Sequence, residues 1–200
     1  MVDPQFITDF NRSDYDLEEF ALFSVAVAGK TASQIAKATE KFIQMERRGE
    51  TPFEKIRLMK RNHALTMNIQ SARLGKWSLL SACYDKMAHS GIDLRTCSLE
   101  ELEELPGIGP KTSRFFVMHS RPNQKIAALD THILSYLRDQ GFDTPKNSPS
   151  GRRYAEIERM FIEHAESIGR GDDLAEFDLE IWNAYSTRSG LGATGEIKVG

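Results

Sequence analysis

Apolar residues recur at steps of three and four along most of this 200-residue chain, and this spacing constrains its fold more than any other feature. Because such spacing puts apolar side chains on one face of a helix, it predicts amphipathic helices. The clearest stripes are Tyr154, Ile157, Phe161, Ile162, Ala165 and Ile168, and then Leu174, Phe177, Ile181, Trp182 and Tyr185. Phe20–Ala28 is apolar almost all round and predicts a buried central helix. No alternating run of β-branched residues stands out. The sequence therefore predicts an all-α protein of roughly eight to ten helices.

Residues that favour helix starts and loops divide this helical pattern. Asp16 with Glu19, and Ser98 with Glu101, match the spacing of a capping box, so each pair predicts the start of a helix. The polar segment Asp143–Gly151 contains two prolines and is the predicted linker.

The composition narrows the class of protein. Apolar residues make up 40% of the chain, but no stretch approaches the roughly 20 consecutive apolar residues that span a bilayer. Residues 1–4 lack the basic and then apolar segments of a secretory signal. Cys83 and Cys97 are too few for a four-cysteine zinc or iron–sulfur site, and we expect both to be reduced, partly buried thiols.

Acidic and basic residues are segregated along the chain, although the formal net charge is only −3. Residues 55–84 and 105–129 contain no acid, whereas acids collect near the N-terminus and in residues 156–180. Such segregation can give one positive face, which attracts phosphates, or it can be an ordinary solvated surface. The basic residues of the first acid-free stretch are Lys55, Arg57, Lys60, Arg61, Arg73 and Lys76.

The most informative segment is Leu105–Thr112, which reads LPGIGPKT between two predicted helices. Two glycines one residue apart permit a tight turn whose backbone can approach another molecule closely. Pro110 fits the first turn of the following helix, and the N–H groups of that turn can then bind a phosphate. We expect Ile108 to fill the gap between the two helices. A plain helix–loop–helix corner is the alternative interpretation.

The string LPGIGPKT, followed 19 positions after Lys111 by Asp130 in the string LDTHI, closely resembles the endonuclease III and 8-oxoguanine DNA glycosylase superfamily of helix-hairpin-helix proteins. Phe20–Phe42 is similar to the superfamily's early buried helix and the helix after it. The resemblance implies a two-lobed all-α fold with a cleft between the lobes. One lobe would span residues 15–127, with the helix-hairpin-helix at about 98–119, and the other would join residues 1–14 to 128–200.

The resemblance also implies a bifunctional DNA glycosylase and abasic-site (AP) lyase. Lys111 would be the nucleophile that forms a Schiff base with the sugar, which permits β-elimination of the 3′ phosphate. Asp130 would be the carboxylate that stabilises the cationic sugar and assists proton transfers. The damaged nucleotide would be flipped out of the duplex to reach both, and Lys111 and Asp130 would face each other across the cleft.

Several of these residues have plainer interpretations. Lys111 could only contact a phosphate, and Asp130 could only cap the helix that follows it. Arg73 and Lys76 could bind phosphates or be solvated, and Trp182 could stack on the flipped base or lie in the core. The candidate DNA-binding residues are Gly107, Ile108, Gly109, Lys111, Thr112, Arg114, Arg73 and Lys76, and the base-pocket candidates are Phe115 and Trp182.

Departures from the superfamily pattern bear on the substrate. No cysteine follows Cys97, so the C-terminal iron–sulfur cluster of some members is absent. A lysine without a cluster is the combination found in the 8-oxoguanine enzymes, which implies that lesion as the substrate. However, a glutamine that often enters the duplex is replaced here by Gly29 or Lys30. A cysteine of the base pocket is replaced by Phe115, so pocket residues do not transfer.

The expected partner is double-stranded DNA containing a damaged base, bound by a monomer with no membrane association. No cofactor is expected, although the resemblance allows a monovalent cation at the hairpin. The expected location is cytoplasmic, at the nucleoid, in a prokaryote, and nuclear or organellar otherwise. The alternatives are an oxidised-pyrimidine glycosylase/lyase and a non-enzymatic helix-hairpin-helix DNA-binding protein.

Overall fold

The computed structural model of the protein describes residues 1–188. These residues form ten α-helices and no strand, which confirms the predicted all-α class. The helices are α1 Asp14–Ala26, α2 Ala32–Gln44, α3 Pro52–Arg61, α4 Leu65–Ser71, α5 Trp77–His89, α6 Leu99–Glu103, α7 Pro110–Ser120, α8 Thr131–Asp139, α9 Gly151–Ser167 and α10 Leu174–Arg188.

The chain divides into two compact units, with the boundary between Gln124 and Lys125. The first unit therefore contains α1 to α7 and the second contains α8 to α10. The predicted linker, Asp143–Gly151, is instead a loop between α8 and α9 inside the second unit. Its position is fixed locally, because Arg138 donates to the Pro145 carbonyl at 2.7 Å and the Thr144 hydroxyl donates to the Leu134 carbonyl at 2.9 Å. Two prolines thus mark a connection between helices rather than between domains.

Helix α1 is the central helix of the first unit, as the apolar run predicts. It packs against α2, α3, α5 and α7, and every residue from Glu19 to Ala26 is buried. The predicted start of this helix at Asp16 is wrong. The N-cap is Ser13, whose side chain accepts from the Asp16 backbone N–H, so the cap lies three residues earlier and the helix begins at Asp14. Asp16 contributes as the residue three positions after the cap, where its carboxylate accepts from the Ser13 hydroxyl at 2.6 Å.

Residues 1–14, which the resemblance places in the second lobe, belong to the first unit. The reason is a set of polar contacts with the C-terminal end of α7. The buried Arg12 guanidinium donates to the carbonyls of Asp9 and His119, each at 2.7 Å, and Asp9 N–H also donates to the His119 carbonyl. Arg12 lies 4.0 Å from the centre of the Phe20 ring on α1. These contacts join the N-terminal segment to α1 and α7.

The second unit has its own aromatic core. Phe161 of α9 stacks on Phe177 of α10 with ring centres 5.6 Å apart, and Tyr136 of α8 packs edge-on against Phe177. The Tyr136 hydroxyl and His164 Nε2 are hydrogen-bonded at 2.8 Å. Phe161 and Phe177 belong to the two predicted apolar stripes, and they meet in this core.

Both cysteines are free and buried. Burial raises the pKa of the Cys83 thiol to about 12. None of the described helices has the length and apolar character needed to cross a membrane.

Candidate active site

The segment LPGIGPKT forms a hairpin between α6 and α7. Helix α6 begins with the predicted capping box, because Ser98 accepts from the Glu101 N–H while the Glu101 carboxylate accepts from the Ser98 N–H. Helix α7 begins at Pro110, and Ile108 between the glycines is 8% exposed, as expected for a residue that fills the gap. The helix–hairpin–helix is therefore present within the first unit.

The two hairpin glycines meet different requirements. Gly107 has a φ of +83°, and a Cβ placed there would lie 2.9 Å from the Leu79 side chain. The fold itself therefore requires a glycine at 107. Gly109 has a φ of −112°, which any residue can adopt, and a Cβ there would have no protein atom within 4 Å. The fold leaves open space next to Gly109, at the N-terminus of α7.

One carboxylate connects the two helices of the motif. Glu103 Oε1 accepts from the buried Ser113 hydroxyl at 2.7 Å and from the Arg114 guanidinium at 3.0 Å. On the other side, the Lys86 ammonium of α5 donates to the Glu104 carbonyl at 2.7 Å. These contacts hold the hairpin to its own helices and to α5. Arg114, a predicted DNA contact, thus braces the motif, and its contact with DNA stays a prediction.

Lys111 is the second residue of α7, directly after the hairpin. No side chain caps this helix start, so an anion can approach the positive end of the helix dipole there. The Lys111 side chain is partly buried, and its Nζ lies 4.9 Å from the centre of the Phe115 ring one turn along. An ammonium at this distance from a ring face is attracted to it. Phe115 therefore restricts where the Lys111 amine can lie.

Phe115, predicted as a base-pocket candidate, belongs to an aromatic group at the contact of α1 and α7. Its ring centre lies 5.9 Å from that of Phe20 and 5.0 Å from that of His119, which packs edge-on. The Phe115 ring remains only partly buried. Its observed contacts are thus with Lys111 and the core of the first unit, and a role in holding a base stays a prediction.

Asp130 is the N-cap of α8. Its Oδ1 accepts from the N–H groups of His132 at 2.8 Å and Ile133 at 2.9 Å. These two bonds fix the orientation of the carboxylate relative to the start of the helix. The predicted capping role is confirmed, and the side chain remains partly exposed.

The chain enters Asp130 through an irregular but buried segment. Ala127, Ala128 and Leu129 are each at most 1% exposed. The Tyr154 hydroxyl of α9 donates to the Ala127 carbonyl at 2.8 Å and accepts from the Leu129 N–H at 3.0 Å. The Glu158 carboxylate, one turn further along α9, accepts from the Ala127 N–H at 2.9 Å.

The remaining predicted residues lie on loops and on α10. Arg73 and Lys76 are exposed and adopt positive φ angles of 63° and 43°. The Lys76 ammonium donates to the Ala28 carbonyl, and the nearby Lys30 ammonium donates to the Leu74 carbonyl. Burial, and then the charge of Lys76, lower the pKa of Lys30. These basic residues are therefore close to one another, on the loops after α1 and α4.

Trp182, the other base-pocket candidate, is partly buried within the second unit. Its ring packs edge-on against His132 of α8, with centres 6.3 Å apart. In residues 1–188, no group of three or more histidine, cysteine, aspartate or glutamate side chains is arranged to hold a metal ion.

No family model matches the sequence. Among solved structures, the chain is similar to that of the 8-oxoguanine glycosylase/lyase of Methanocaldococcus jannaschii, determined in complex with a 15mer DNA containing 8-oxoguanine. The alignment has a TM-score of 0.63 and 20% sequence identity, and it covers 96% of this chain and 89% of the archaeal one. The chain has the fold of this glycosylase/lyase. Identity this low shows the shared fold alone, and the predicted resemblance is confirmed at that level.

The glycosylase fold brings most predicted residues into one motif. Gly107, Gly109 and Lys111 share the hairpin and the first turn of α7 with Ile108 and Thr112. Asp130 and Trp182 lie in the second unit, and their predicted meeting with Lys111 across a cleft stays a prediction. Sequence analysis missed Glu103, Tyr154 and Glu158. Tyr154 belongs to the apolar stripe of α9, which predicts that it is buried. That pattern does not reveal which groups form hydrogen bonds with its hydroxyl.

Proposed function

We propose that this protein is a base-excision repair DNA glycosylase with AP lyase activity, and that its substrate is 8-oxoguanine in duplex DNA. The observation that carries the proposal is the position of Lys111 at the uncapped start of α7, directly after a hairpin whose Gly109 adjoins open space. A nucleophilic amine beside a phosphate-binding helix start is what a lyase acting on a DNA strand requires.

The chemistry assigns one step to each functional group. Lys111 Nζ attacks C1′ of the flipped nucleotide, the N-glycosidic bond breaks, and the base leaves with a proton. The sugar ring opens to a protonated imine on Lys111. Loss of a proton from C2′ then expels the 3′ phosphate, and water hydrolyses the imine to release the lysine. These steps use an amine, a carboxylate and water, so the proposed reaction draws on no cofactor.

Asp130 supplies the negative charge in this scheme. The glycosidic bond breaks through a cationic sugar, which a fixed carboxylate stabilises electrostatically. Its Oδ1 is held by two backbone N–H groups, so the carboxylate needs little reorganisation during the reaction. A carboxylate of this kind can also accept and return protons during the later elimination.

Binding to DNA is assigned to the hairpin and to the basic loops. The start of α7 presents the Lys111 N–H and the positive end of the helix dipole to a phosphate, whereas the N–H groups of Thr112 and Ser113 donate to the Gly109 carbonyl. Arg73, exposed on the loop after α4, is assigned a further phosphate contact. Such contacts hold the backbone of the duplex without reading its sequence.

Borohydride trapping on a panel of duplexes tests the proposal. Each duplex carries one 8-oxoguanine, one oxidised pyrimidine, one abasic site or no lesion. We expect a covalent protein–DNA adduct with 8-oxoguanine and with the abasic site, and none with undamaged DNA. Trapping on the oxidised pyrimidine but not on 8-oxoguanine would change the substrate and keep the reaction. Binding without any adduct, including at the abasic site, would favour the non-enzymatic DNA-binding alternative.

A further inference from the structure

The approach to Asp130 is an unusual segment of backbone. Ala127, Ala128 and Leu129 lack regular secondary structure, yet they are as buried as the core. Buried backbone N–H and C=O groups need hydrogen-bond partners, and a helix or sheet normally supplies them. Here side chains of α9 supply some of them, and short-range backbone bonds, from the Leu129 N–H to the Ala127 carbonyl at 3.2 Å and from the Asp130 N–H to the Ala128 carbonyl at 2.6 Å, supply others.

Tyr154 and Glu158 together satisfy three of these backbone groups. The Tyr154 hydroxyl uses both of its hydrogen-bonding capacities, one on the Ala127 carbonyl and one on the Leu129 N–H, at 2.8 and 3.0 Å. The Glu158 carboxylate takes the Ala127 N–H at 2.9 Å. Tyr154 is 2% exposed, so water does not compete for its hydroxyl. The pair therefore fixes residues 127–129 against α9.

This arrangement bears on Asp130 because Leu129 is its neighbour in the chain. The bonds from His132 and Ile133 tie Asp130 Oδ1 to the start of α8. The Tyr154 hydroxyl adds a second restraint, on the peptide unit through which the chain enters the cap. Displacements of about 1 Å in a catalytic group can cost on the order of a hundredfold in rate.

We propose that Tyr154, assisted by Glu158, is a positioning residue that sets where the Asp130 carboxylate lies in the base-excision reaction. The proposal rests on the function proposed above, in which Asp130 stabilises the sugar cation. Tyr154 and Glu158 act through the backbone of Ala127 and Leu129 and do not themselves contact the reacting sugar.

Tyr154→Phe tests the proposal because it removes only the hydroxyl and keeps the ring in the core. We expect single-turnover excision to fall by about tenfold or more, with duplex affinity unchanged. Tyr84→Phe is the matched control. The Tyr84 hydroxyl is equally buried and donates to the Leu22 carbonyl at 2.9 Å in the first unit. Tyr84→Phe should therefore lower the melting temperature about as much as Tyr154→Phe does, but it should leave excision near the wild-type rate.

A double-mutant cycle separates positioning from general loosening of the fold. In an Asp130→Asn background, Tyr154→Phe should change excision by less than about twofold, since the charge to be positioned is already absent. An equal loss of rate in both backgrounds, or a wild-type rate in Tyr154→Phe, would overturn the positioning role. If Asp130→Asn alone excises normally, the proposed role of Asp130 fails instead, and the positioning role fails with it.

Glu158 provides a second test, which also serves if Tyr154→Phe does not fold. Glu158→Gln keeps an oxygen that accepts from the Ala127 N–H and should retain excision within about threefold, whereas Glu158→Ala should lose it about as Tyr154→Phe does. Equal rates in the glutamine and alanine variants would contradict the proposal.

Discussion

Asp130 caps α8, and a single side chain can combine that role with the proposed catalytic one. As an N-cap it accepts from two backbone N–H groups of α8, and this role depends on an oxygen rather than on a charge. As the proposed partner of the sugar cation it needs the negative charge. A substitution that keeps the oxygen and removes the charge therefore separates folding from catalysis.

We expect Asp130→Asn to lower single-turnover base excision by about a hundredfold or more, the usual cost of removing one preorganised electrostatic partner. Asparagine caps helices about as well as aspartate, so the melting temperature should change little. Duplex affinity should stay the same or rise, because a carboxylate near phosphates repels them. The measurement pairs the excision rate with thermal unfolding, and a near-normal rate would leave Asp130 as a cap only.

At the scale of residues, the sequence predicts positions in the chain better than contacts. The place of Lys111 in the first turn of α7 follows from Pro110, whose missing N–H is harmless there. The Lys111–Phe115 contact and the bonds of the Tyr154 hydroxyl depend on rotamers and on residues far apart in the chain. Apolar spacing marks Tyr154 as buried but does not reveal the partner of a buried polar atom.

The hairpin shows at the scale of elements how two similar glycines can be told apart. Gly107 is required by its positive φ and by the Leu79 side chain, whereas Gly109 has an ordinary φ and open space beside it. A methyl group at 109 should disturb only a molecule that approaches from outside. A methyl group at 107 should disturb the protein itself.

We expect Gly109→Ala to lower the free energy of unfolding by no more than about 1 kcal/mol, because Gly109 is the N-cap of α7 and alanine is a poorer cap than glycine. It should weaken binding to damaged and undamaged duplexes alike by about tenfold, or about 1.4 kcal/mol, because the added methyl obstructs a phosphate. Gly107→Ala is the contrasting variant and should cost about 1–3 kcal/mol of stability through its strained φ. A loss of affinity confined to one lesion would show that the hairpin reads the base.

Helix starts illustrate what local sequence can and cannot decide. The capping box at Ser98 and Glu101 is correct, but the one predicted at Asp16 and Glu19 is displaced by Ser13, which has Asp16 three positions later. Both spacings fit a capping signal, and serine and aspartate cap helices about equally well, so local preference alone does not separate them.

Charge distribution at the scale of the whole molecule matters more than its total. The net charge of −3 opposes DNA in general, but phosphates respond to the local field of a basic surface. Several basic residues predicted to form that surface have internal partners, including Arg57 with the Ala88 carbonyl and Lys60 with Asp85. Arg73 is a clearer test, since it is exposed on the loop after α4.

Affinity for an undamaged duplex should fall steeply as salt increases, because binding releases counterions. Arg73→Gln should weaken binding to all duplexes similarly and reduce the slope of log affinity against log salt by about one. Arg48→Gln is the control. The exposed Arg48 is already paired with Glu46 at 2.9 Å, so its replacement should leave the slope of log affinity against log salt unchanged. An unchanged slope in Arg73→Gln would remove Arg73 from the interface.

Domain organisation follows only partly from the sequence. The predicted linker at residues 143–151 separates α8 from α9, and the lobe boundary that the resemblance implies, between residues 127 and 128, lies three positions from the boundary between the two units. Residues 1–14, which the resemblance places in the second lobe, join the first unit. The contacts responsible connect Arg12 to the His119 carbonyl across 107 positions of the chain. No local pattern encodes a backbone contact over that separation.

Trapping with Lys111→Gln tests the central claim most directly. Wild type, Lys111→Gln and Lys30→Gln are incubated with an 8-oxoguanine duplex and borohydride, and the adduct is mapped by peptide mass. Lys30 is the rival nucleophile in the first unit, because burial and Lys76 lower its pKa and leave more of its amine neutral. Lys198, another candidate amine, lies outside the described residues. We expect Lys111→Gln to lose the adduct while binding the duplex within about threefold of wild type. Lys30→Gln should keep the adduct, mapped to Lys111. An undiminished adduct in Lys111→Gln would contradict the account.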